Sequence, residues 1–196
     1  MKHLLFLTLI TVLMFSCKPV DKKAKINPLA ISYNNQAFKQ LQTKNYDSAL
    51  VLINKALSVD SSYIVGYISK VAIYWELKDY KNALIVEDKA LQIDSNYAEG
   101  YLAAGSICEI VGDSIRAFDY YKKGIDCYDR RISNPIDQKQ LINSRLNRAC
   151  LLRFSGKEME GKRELEKLKV EKQDTQLIDG FLKMDRKTYL SNLQNK

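Results

Sequence analysis

The chain has little of what most catalytic and metal sites require. Its 196 residues include one histidine, His3, three prolines and eight glycines. It contains no glycine-rich phosphate loop, no cysteine pair at metal-binding spacing and no serine motif on a strand-to-helix turn. Because histidine is the commonest general base and metal ligand, its absence after residue 3 removes most acid–base schemes. We therefore expect no enzymatic activity, no cofactor and no metal.

Carboxylates are plentiful, which leaves a glycosidase-like acid pair as an alternative. Against it, we place the acidic residues of the repeats at turns or on exposed helix faces, namely Asp79, Glu87, Asp88, Asp94 and Asp113.

The first sixteen residues have the composition of an export signal. A positive start, Met1-Lys2-His3, precedes a largely apolar stretch over residues 4–15 and then Ser16-Cys17. Twelve residues are too few to cross a bilayer as a helix, which needs about 20. The alternative is a buried first helix of the fold, and the polar, lysine-rich stretch 18–25 argues against it.

The end of this segment is more specific than an ordinary cleavage site. Met14-Phe15-Ser16-Cys17 resembles the lipobox of bacterial lipoproteins, in which the cysteine is lipidated and becomes the mature N-terminus. The resemblance implies a signal peptide over 1–16, a lipid anchor on Cys17, a polar tether over 17–29 and a place in the bacterial cell envelope, facing the periplasm or the exterior. Several acyl chains together hold a protein firmly in a membrane.

The basic charge fits this interpretation. Removing residues 1–16 deletes one lysine and no acid, which lowers the net charge from +8 to +7. Four lysines lie in 18–25, where attraction to anionic lipid headgroups is the simplest explanation. An exported chain would not normally meet nucleic acid, so we expect no nucleic-acid partner.

An internal repeat predicts the architecture. Residues 44–67 and 78–101 are identical at twelve of 24 positions, with an offset of 34 residues. Within the repeat, Tyr67, Val71 and Tyr74 lie at i, i+4 and i+7 on one helical face, and the small residues Ala83 and Ala90 allow two helix backbones to approach. A period of this length with helical patterning predicts stacked helix hairpins, each too small to bury its apolar face alone.

These features resemble the tetratricopeptide repeat, a pair of antiparallel helices with aromatic, small and Gly-Asp/Asn-Tyr positions in fixed order. The resemblance implies an all-α, right-handed superhelical solenoid with three units over 30–131 and a fourth unit over 132–170. The fourth unit contains an insertion of about ten residues, because the turn glycines Gly112 and Gly156 are 44 residues apart. We expect its first helix over 136–154.

Three further expectations concern the details of the stack. The proline usual after the second helix of a unit is replaced by Ser61 and Ser95, which can cap the next helix. Segment 171–196 is predicted to be a capping helix, with a free amphipathic arm as the alternative. The cysteines that remain after lipidation are an odd number, so at most one disulfide can form within the chain. We expect Cys108 and Cys150 to be buried as small apolar residues.

The family binds partners on a concave surface lined by the first helix of each unit, and the resemblance implies the same surface here. Its residues are Asn34, Phe38 and Leu41 in the first unit, Ile68, Ala72, Trp75 and Glu76 in the second, Leu102, Ser106 and Glu109 in the third, and Leu146, Cys150 and Arg153 in the fourth. Tryptophan is enriched among binding hot spots. Alternatively, Trp75 and Phe38 are covered within the protein, for instance by the C-terminal helix.

Together these features predict a membrane-anchored lipoprotein scaffold that binds a protein or peptide partner. The alternative is an accessory lipoprotein of the cell envelope that binds a glycan or another ligand, with Trp75 and Tyr101 stacking on sugars.

Overall fold

The structure, a computed structural model, describes residues 26–171, 175–183 and 185–194. The predicted signal peptide, Cys17 and most of the tether lie outside these ranges. Within them the chain forms ten helices: α1 Pro28–Gln42, α2 Tyr46–Val59, α3 Ile64–Glu76, α4 Tyr80–Ile93, α5 Ala98–Ile110, α6 Ser114–Ser133, α7 Gln138–Phe154, α8 Glu158–Glu171, α9 Gln176–Lys183 and α10 Arg186–Gln194. No helix in the described ranges has both the length and the apolar character needed to cross a bilayer.

The first eight helices form four hairpins that stack in chain order. The hairpins are α1–α2, α3–α4, α5–α6 and α7–α8, and successive hairpins join through α2–α3, α4–α5 and α6–α7. The first helices of the first two hairpins, α1 and α3, also touch. The predicted all-α solenoid of helix hairpins is therefore confirmed.

The same backbone turn closes each hairpin. Its central residue has a positive φ in every unit: 57° at Lys44, 56° at Lys78, 85° at Gly112 and 87° at Gly156. A positive φ suits glycine, which has no Cβ, and is strained for other residues. The first two units nevertheless have a lysine at this position of the turn. In the first three units the next residue accepts a hydrogen bond from the backbone N–H three positions on, which caps the second helix; these residues are Asn45, Asp79 and Asp113.

The ten-residue insertion lengthens the last helix of the third unit and the first helix of the fourth, and it leaves the four-residue connection between them unchanged. Helix α6 has 20 residues where α4 has 14, and α7 has 17 where α5 has 13. These six and four extra residues account for the ten-residue insertion. Helix α7 begins at Gln138, two residues later than predicted, because Asp137 accepts a 2.7 Å hydrogen bond from Gln140 N and acts as its N-cap.

The prediction that Ser61 and Ser95 cap the following helices was wrong. The N-cap residues of α3 and α5 are Tyr63 and Tyr97, and neither makes a side-chain capping bond. Instead, the loops before α3 and α5 are held by the aspartate at which each loop begins. Asp60 accepts a hydrogen bond from Ser62 N at 3.0 Å, and Asp94 accepts one from Asn96 N at 2.8 Å.

The C-terminal segment forms two short helices where one capping helix was expected. Asp185 accepts a 2.7 Å hydrogen bond from Thr188 N, which starts a new helix. Helix α9 packs on α8 and buries Ile178 against Leu165 and Leu168, so it closes the end of the stack. Helix α10 packs instead on α5.

Small residues occupy the positions where the two helices of a hairpin cross, as the sequence predicts. Ala83 and Ala90 are completely buried. A Cβ on Gly105 would lie 2.2 Å from the Tyr121 ring, and one on Gly161 would lie 2.4 Å from the carbonyl oxygen of Ala149. The helices therefore approach more closely at these positions than a larger side chain permits.

Ala83→Leu should destabilise the protein, because a larger side chain in a completely buried crossing overpacks the core. Such changes typically cost about 1–3 kcal/mol. For a chain of this size we expect the melting temperature to fall by roughly 2–12 °C. Thermal unfolding followed by circular dichroism measures the change.

Ala72→Leu is the matched control, since Ala72 lies on the preceding helix and is exposed. It should change stability by less than about 0.5 kcal/mol. Equal melting temperatures for the two variants would show that the hairpin crossing is placed wrongly.

Candidate partner-binding groove

The repeat register places the predicted groove residues, apart from Glu76, in three rows across the first helices of the units. Moving from one unit to the next shifts the number by 34, 34 and then 44. The first row is Asn34, Ile68, Leu102 and Leu146. The second is Phe38, Ala72, Ser106 and Cys150. The third is Leu41, Trp75, Glu109 and Arg153. Equivalent positions on stacked hairpins face the same side, so these rows define one surface, here called the groove.

The half of the groove on α1 and α3 is open to solvent and largely apolar. Phe38 is 60% exposed, and Ala72 and Glu76 are also exposed. Asn34, Leu41, Ile68 and Trp75 are half-buried. Sequence reasoning missed Ile31 and Val65, which lie one helical turn before Asn34 and Ile68 and are 39% and 41% exposed. The open strip is the set Ile31, Asn34, Phe38, Leu41, Val65, Ile68, Ala72, Trp75 and Glu76.

Trp75 is held in place by its own hairpin. Its ring meets the Tyr80 ring edge-on, with centroids 5.7 Å apart and planes at 84°. Tyr80 is the first residue of α4, so one side of the indole packs inside the unit and the rest remains accessible. The residue is therefore a rigid aromatic at the edge of the open strip.

The half of the groove on α5 and α7 is filled by the C-terminal helices. The Tyr189 hydroxyl lies 3.2 Å from Ser106 Oγ, and its ring stacks on Phe154 with centroids 4.6 Å apart. Arg186 donates to the carboxylate of Glu109, whose side chain is only 6% exposed. The Arg186 guanidinium also lies 4.8 Å from the Phe118 ring centroid.

The fourth-unit residues are likewise covered. Arg153 is buried and donates hydrogen bonds to Glu158 Oε1 at 2.9 Å and to the carbonyl of Phe181. Leu146 packs in the core cluster with Leu165, Leu168 and Ile178. A cavity of about 40 Å³ remains under α10, lined by Leu102, Asn147, Cys150, Arg153, Phe154, Phe181 and Tyr189.

The predicted groove residues thus fall into two groups. Those of the first two units are on the surface, whereas Leu102, Ser106, Glu109, Leu146, Cys150 and Arg153 lie against the chain's own C-terminal helices or in the core. Contact of the second group with a partner stays a prediction. The apolar and aromatic residues of the C-terminal segment were visible in the sequence, but they were assigned to the end of the stack.

The three cysteines in the described part of the chain are free thiols in buried positions. The expected burial of Cys108 and Cys150 is confirmed, and Cys127 is buried as well. Burial raises the pKa of the Cys108 thiol to about 11 and that of Cys150 to about 12. Both thiols are therefore protonated and unreactive while the structure is closed.

Glu87 corrects the expectation that the acidic residues of the repeats are exposed. It is 1% exposed in α4, and its Oε1 makes no hydrogen bond within the described part of the chain. A Cβ on Gly100 would lie 2.6 Å from this oxygen, so the carboxyl group fits beneath the glycine at the start of α5. Burial, followed by the nearby charge of Asp88, raises the pKa of Glu87 to about 8.

The buried carboxyl group makes stability depend on pH. The folded state holds this proton up to about pH 8, whereas the unfolded chain releases it near 4.5. The unfolded state therefore binds fewer protons between these values, and the free energy of unfolding should fall as pH rises through this window. Urea unfolding at pH 5, 6.5 and 8 measures this slope.

Glu87→Gln keeps the shape and removes the titration, so its unfolding free energy should vary less with pH. Glu166→Gln, at an exposed position in α8, is the matched control and should keep the slope of the original chain. A slope unchanged by Glu87→Gln would mean that Glu87 is not the buried acid responsible.

Solved structures of other proteins share this architecture. A tetratricopeptide repeat protein from Parabacteroides merdae is 19% identical with a TM-score of 0.59, covering 89% of this chain and 62% of that one. PilW, a type IV pilus biogenesis factor, is 18% identical with a TM-score of 0.55, covering 74% and 63%. The chain thus spans somewhat less than two-thirds of each. PcrH, solved in complex with the chaperone-binding region of PopB, is 15% identical with a TM-score of 0.51, covering 63% of this chain and 97% of that one.

The fold is that of a tetratricopeptide-repeat solenoid. The resemblance stated from the sequence is confirmed at this level, and identities below 20% carry the likeness no further than the fold. No protein-family model matches the sequence, and no curated protein matches it.

Proposed function

We propose that the chain is a membrane-anchored lipoprotein scaffold that holds a protein or peptide partner against the open strip. The observation that carries this proposal is the exposed apolar surface of α1 and α3, centred on Phe38 and Trp75. It adjoins a second half of the same groove that already binds a helix, α10. Because the half of the groove on α5 and α7 accommodates a helix, we expect the half on α1 and α3 to accommodate one as well.

The chemistry of the open strip favours a protein partner. A partly packed tryptophan loses little side-chain freedom on binding, and aromatic residues dominate binding hot spots. The PcrH structure supports the proposal, because there a solenoid of the same fold holds a segment of another protein. Glu76 adds an exposed carboxylate at the strip, which can orient a bound segment.

The glycan alternative has less support. Glycan sites pair an accessible aromatic face with several polar groups, whereas the open strip is largely apolar. Tyr101, which was expected to stack on a sugar, is half-buried, and its hydroxyl donates a hydrogen bond to Ser95 O at 3.4 Å. It also lies beside the Tyr120 ring, with centroids 6.5 Å apart.

The anchor is proposed from the lipobox resemblance at Cys17, and the tether then joins the membrane to α1. Eleven residues of extended chain reach about 35 Å. The start of the described chain is fixed to the solenoid, since Asn27 N donates to Asp60 Oδ2 at 3.0 Å and Asn27 Nδ2 donates to Val59 O at 3.3 Å. The anchored end therefore meets the stack where α2 ends, beside the first unit of the groove. We propose a bacterial cell-envelope location, facing the periplasm or the exterior.

The open strip is tested by placing a photo-crosslinking residue at Phe38 in native envelopes. We expect a discrete protein adduct, and Trp75→Ala should weaken its formation about thirtyfold, the effect of losing roughly 2 kcal/mol at a hot spot. Ile85→Ala is the matched control, because Ile85 is an equally apolar, 46% exposed residue on the second helix of the same unit. The adduct should persist in that variant.

A crosslink yield that falls equally in both variants, or in neither, would remove the open strip as the partner site. The fluorescence of Trp75, the only tryptophan, provides a second measurement. Acrylamide should quench it in the isolated protein, and quenching should fall when the crosslinked partner is bound.

Cys17→Ser tests the anchor. The variant should lose fatty-acid labelling and accumulate as an uncleaved precursor or in the soluble fraction, because the acylated atom is missing. Cys127→Ser is a control for general loss of a cysteine, and it should leave labelling intact. Membrane retention and labelling that persist in Cys17→Ser would exclude the lipoprotein assignment.

A further inference from the structure

We propose that α10 is a reversible internal ligand of the groove. A partner helix that carries a basic residue followed three positions later by an aromatic residue displaces it. The inference rests on the proposed function for the identity of the displacing molecule, whereas the reversible docking of α10 stands on the contacts of this chain alone.

The side chains with which α10 contacts the stack show which side chains a partner helix needs. Arg186 and Tyr189 are three residues apart and lie on one face of the helix. Arg186 reaches the Glu109 carboxylate and the Phe118 ring, and Tyr189 reaches the Ser106 hydroxyl and the Phe154 ring. Ser106 and Glu109 belong to the groove, and Phe118 and Phe154 lie beside them on α6 and α7, so three elements of the stack form one receptor for a basic and an aromatic side chain.

Exposing the surface beneath α10 to water costs relatively little free energy. Ser106 and Glu109 carry groups that water can solvate once α10 leaves, so opening costs less than exposing the same area of apolar core. Arg153, next to them, keeps its 2.9 Å bond to Glu158 without help from the C-terminal helices. Helix α10 has nine residues, and isolated helices shorter than about 12 residues are marginal in water. Its helical form therefore depends on docking.

Helix α9 differs from α10 in this respect. Ile178 is 3% exposed and belongs to the core cluster with Leu146, Leu165 and Leu168. Lys169 on α8 also donates to Asp179 at 2.6 Å. Removing α9 would expose the end of the stack, whereas removing α10 would expose the groove. The two helices thus serve as a permanent cap and a removable ligand.

A partner helix can displace α10 if it is longer and binds more of the groove. The docked helix benefits from a high effective concentration, on the order of millimolar for a short linker. A competing helix must therefore gain contacts that α10 lacks. The rows of the groove run without a break from Ser106 and Glu109 to Ala72 and Trp75, so a longer helix can occupy the receptor and the open strip together.

Cys150 is a natural reporter of α10 undocking. It lines the 40 Å³ cavity together with Tyr189 and is 6% exposed, so it becomes accessible when α10 leaves. Cys108 is completely buried inside the stack and provides an internal control for global unfolding. Modification of the two thiols in one sample, resolved by peptide mass spectrometry, separates local opening from unfolding.

The first experiment measures thiol modification in the full chain carrying Arg186→Glu. Loss of the Glu109 pair should accelerate modification of Cys150 at least tenfold and leave Cys108 unchanged. Tyr189→Phe, which removes only the hydroxyl near Ser106, should give a smaller acceleration with the fold retained. Lys187→Glu is the matched charge-reversal control, because Lys187 is exposed on the same helix, and it should have no effect.

The second experiment adds a synthetic peptide of residues 175–196 to the Arg186→Glu chain. The peptide should restore protection of Cys150, and a peptide carrying Arg186→Glu and Tyr189→Ala should not. Equal modification rates for Cys150 and Cys108 in every variant, or no protection by the peptide, would overturn the proposal and make α10 a fixed part of the fold. In that case the Trp75-dependent crosslink at position 38 would still decide the proposed function independently.

Discussion

The close crossing of two helix backbones within each hairpin is the constraint on which the structure depends. Ala37, Ala49 and Ala83 are completely buried at these crossings, and the glycine equivalents are tighter still. At Gly161 an added Cβ would meet a backbone carbonyl at 2.4 Å, which no side-chain movement can relieve. A single hairpin cannot bury its apolar face alone, so each hairpin is stable only against its neighbours.

Stacking leaves one face of every first helix without a partner, and the chemistry of that face changes along the solenoid. The row that begins with Phe38 and Ala72 continues with Ser106, and the row that begins with Leu41 and Trp75 continues with Glu109 and Arg153. The chain covers the polar half with its own C-terminal helices and leaves the apolar half exposed. Buried ionic groups are stable only when paired, and Arg186 and Glu158 supply the pairs.

Sequence patterns predicted the helices well because the formation of each helix depends mainly on residues that are close together in the chain. The 34-residue repeat located the first three hairpins, and the 44-residue step between turn glycines located the fourth hairpin and the insertion before it, with α7 starting two residues later than expected. The errors arose where a neighbouring element decides the outcome. Glu87 has the sequence context of a surface residue, yet α5 covers it. The break at Asp185 was missed because a single capping aspartate is a weak signal within an amphipathic segment.

The sequence by itself determined the repeating unit and the order in which the units stack, since a periodic pattern states both at once. Only the tertiary structure decided which half of the groove is free. The contacts that fill the other half join Ser106 to Tyr189 across 83 residues and Glu109 to Arg186 across 77. No repeat relates these pairs, and their energy arises only after the stack has brought α5, α6 and α7 together to form the receptor into which α10 fits.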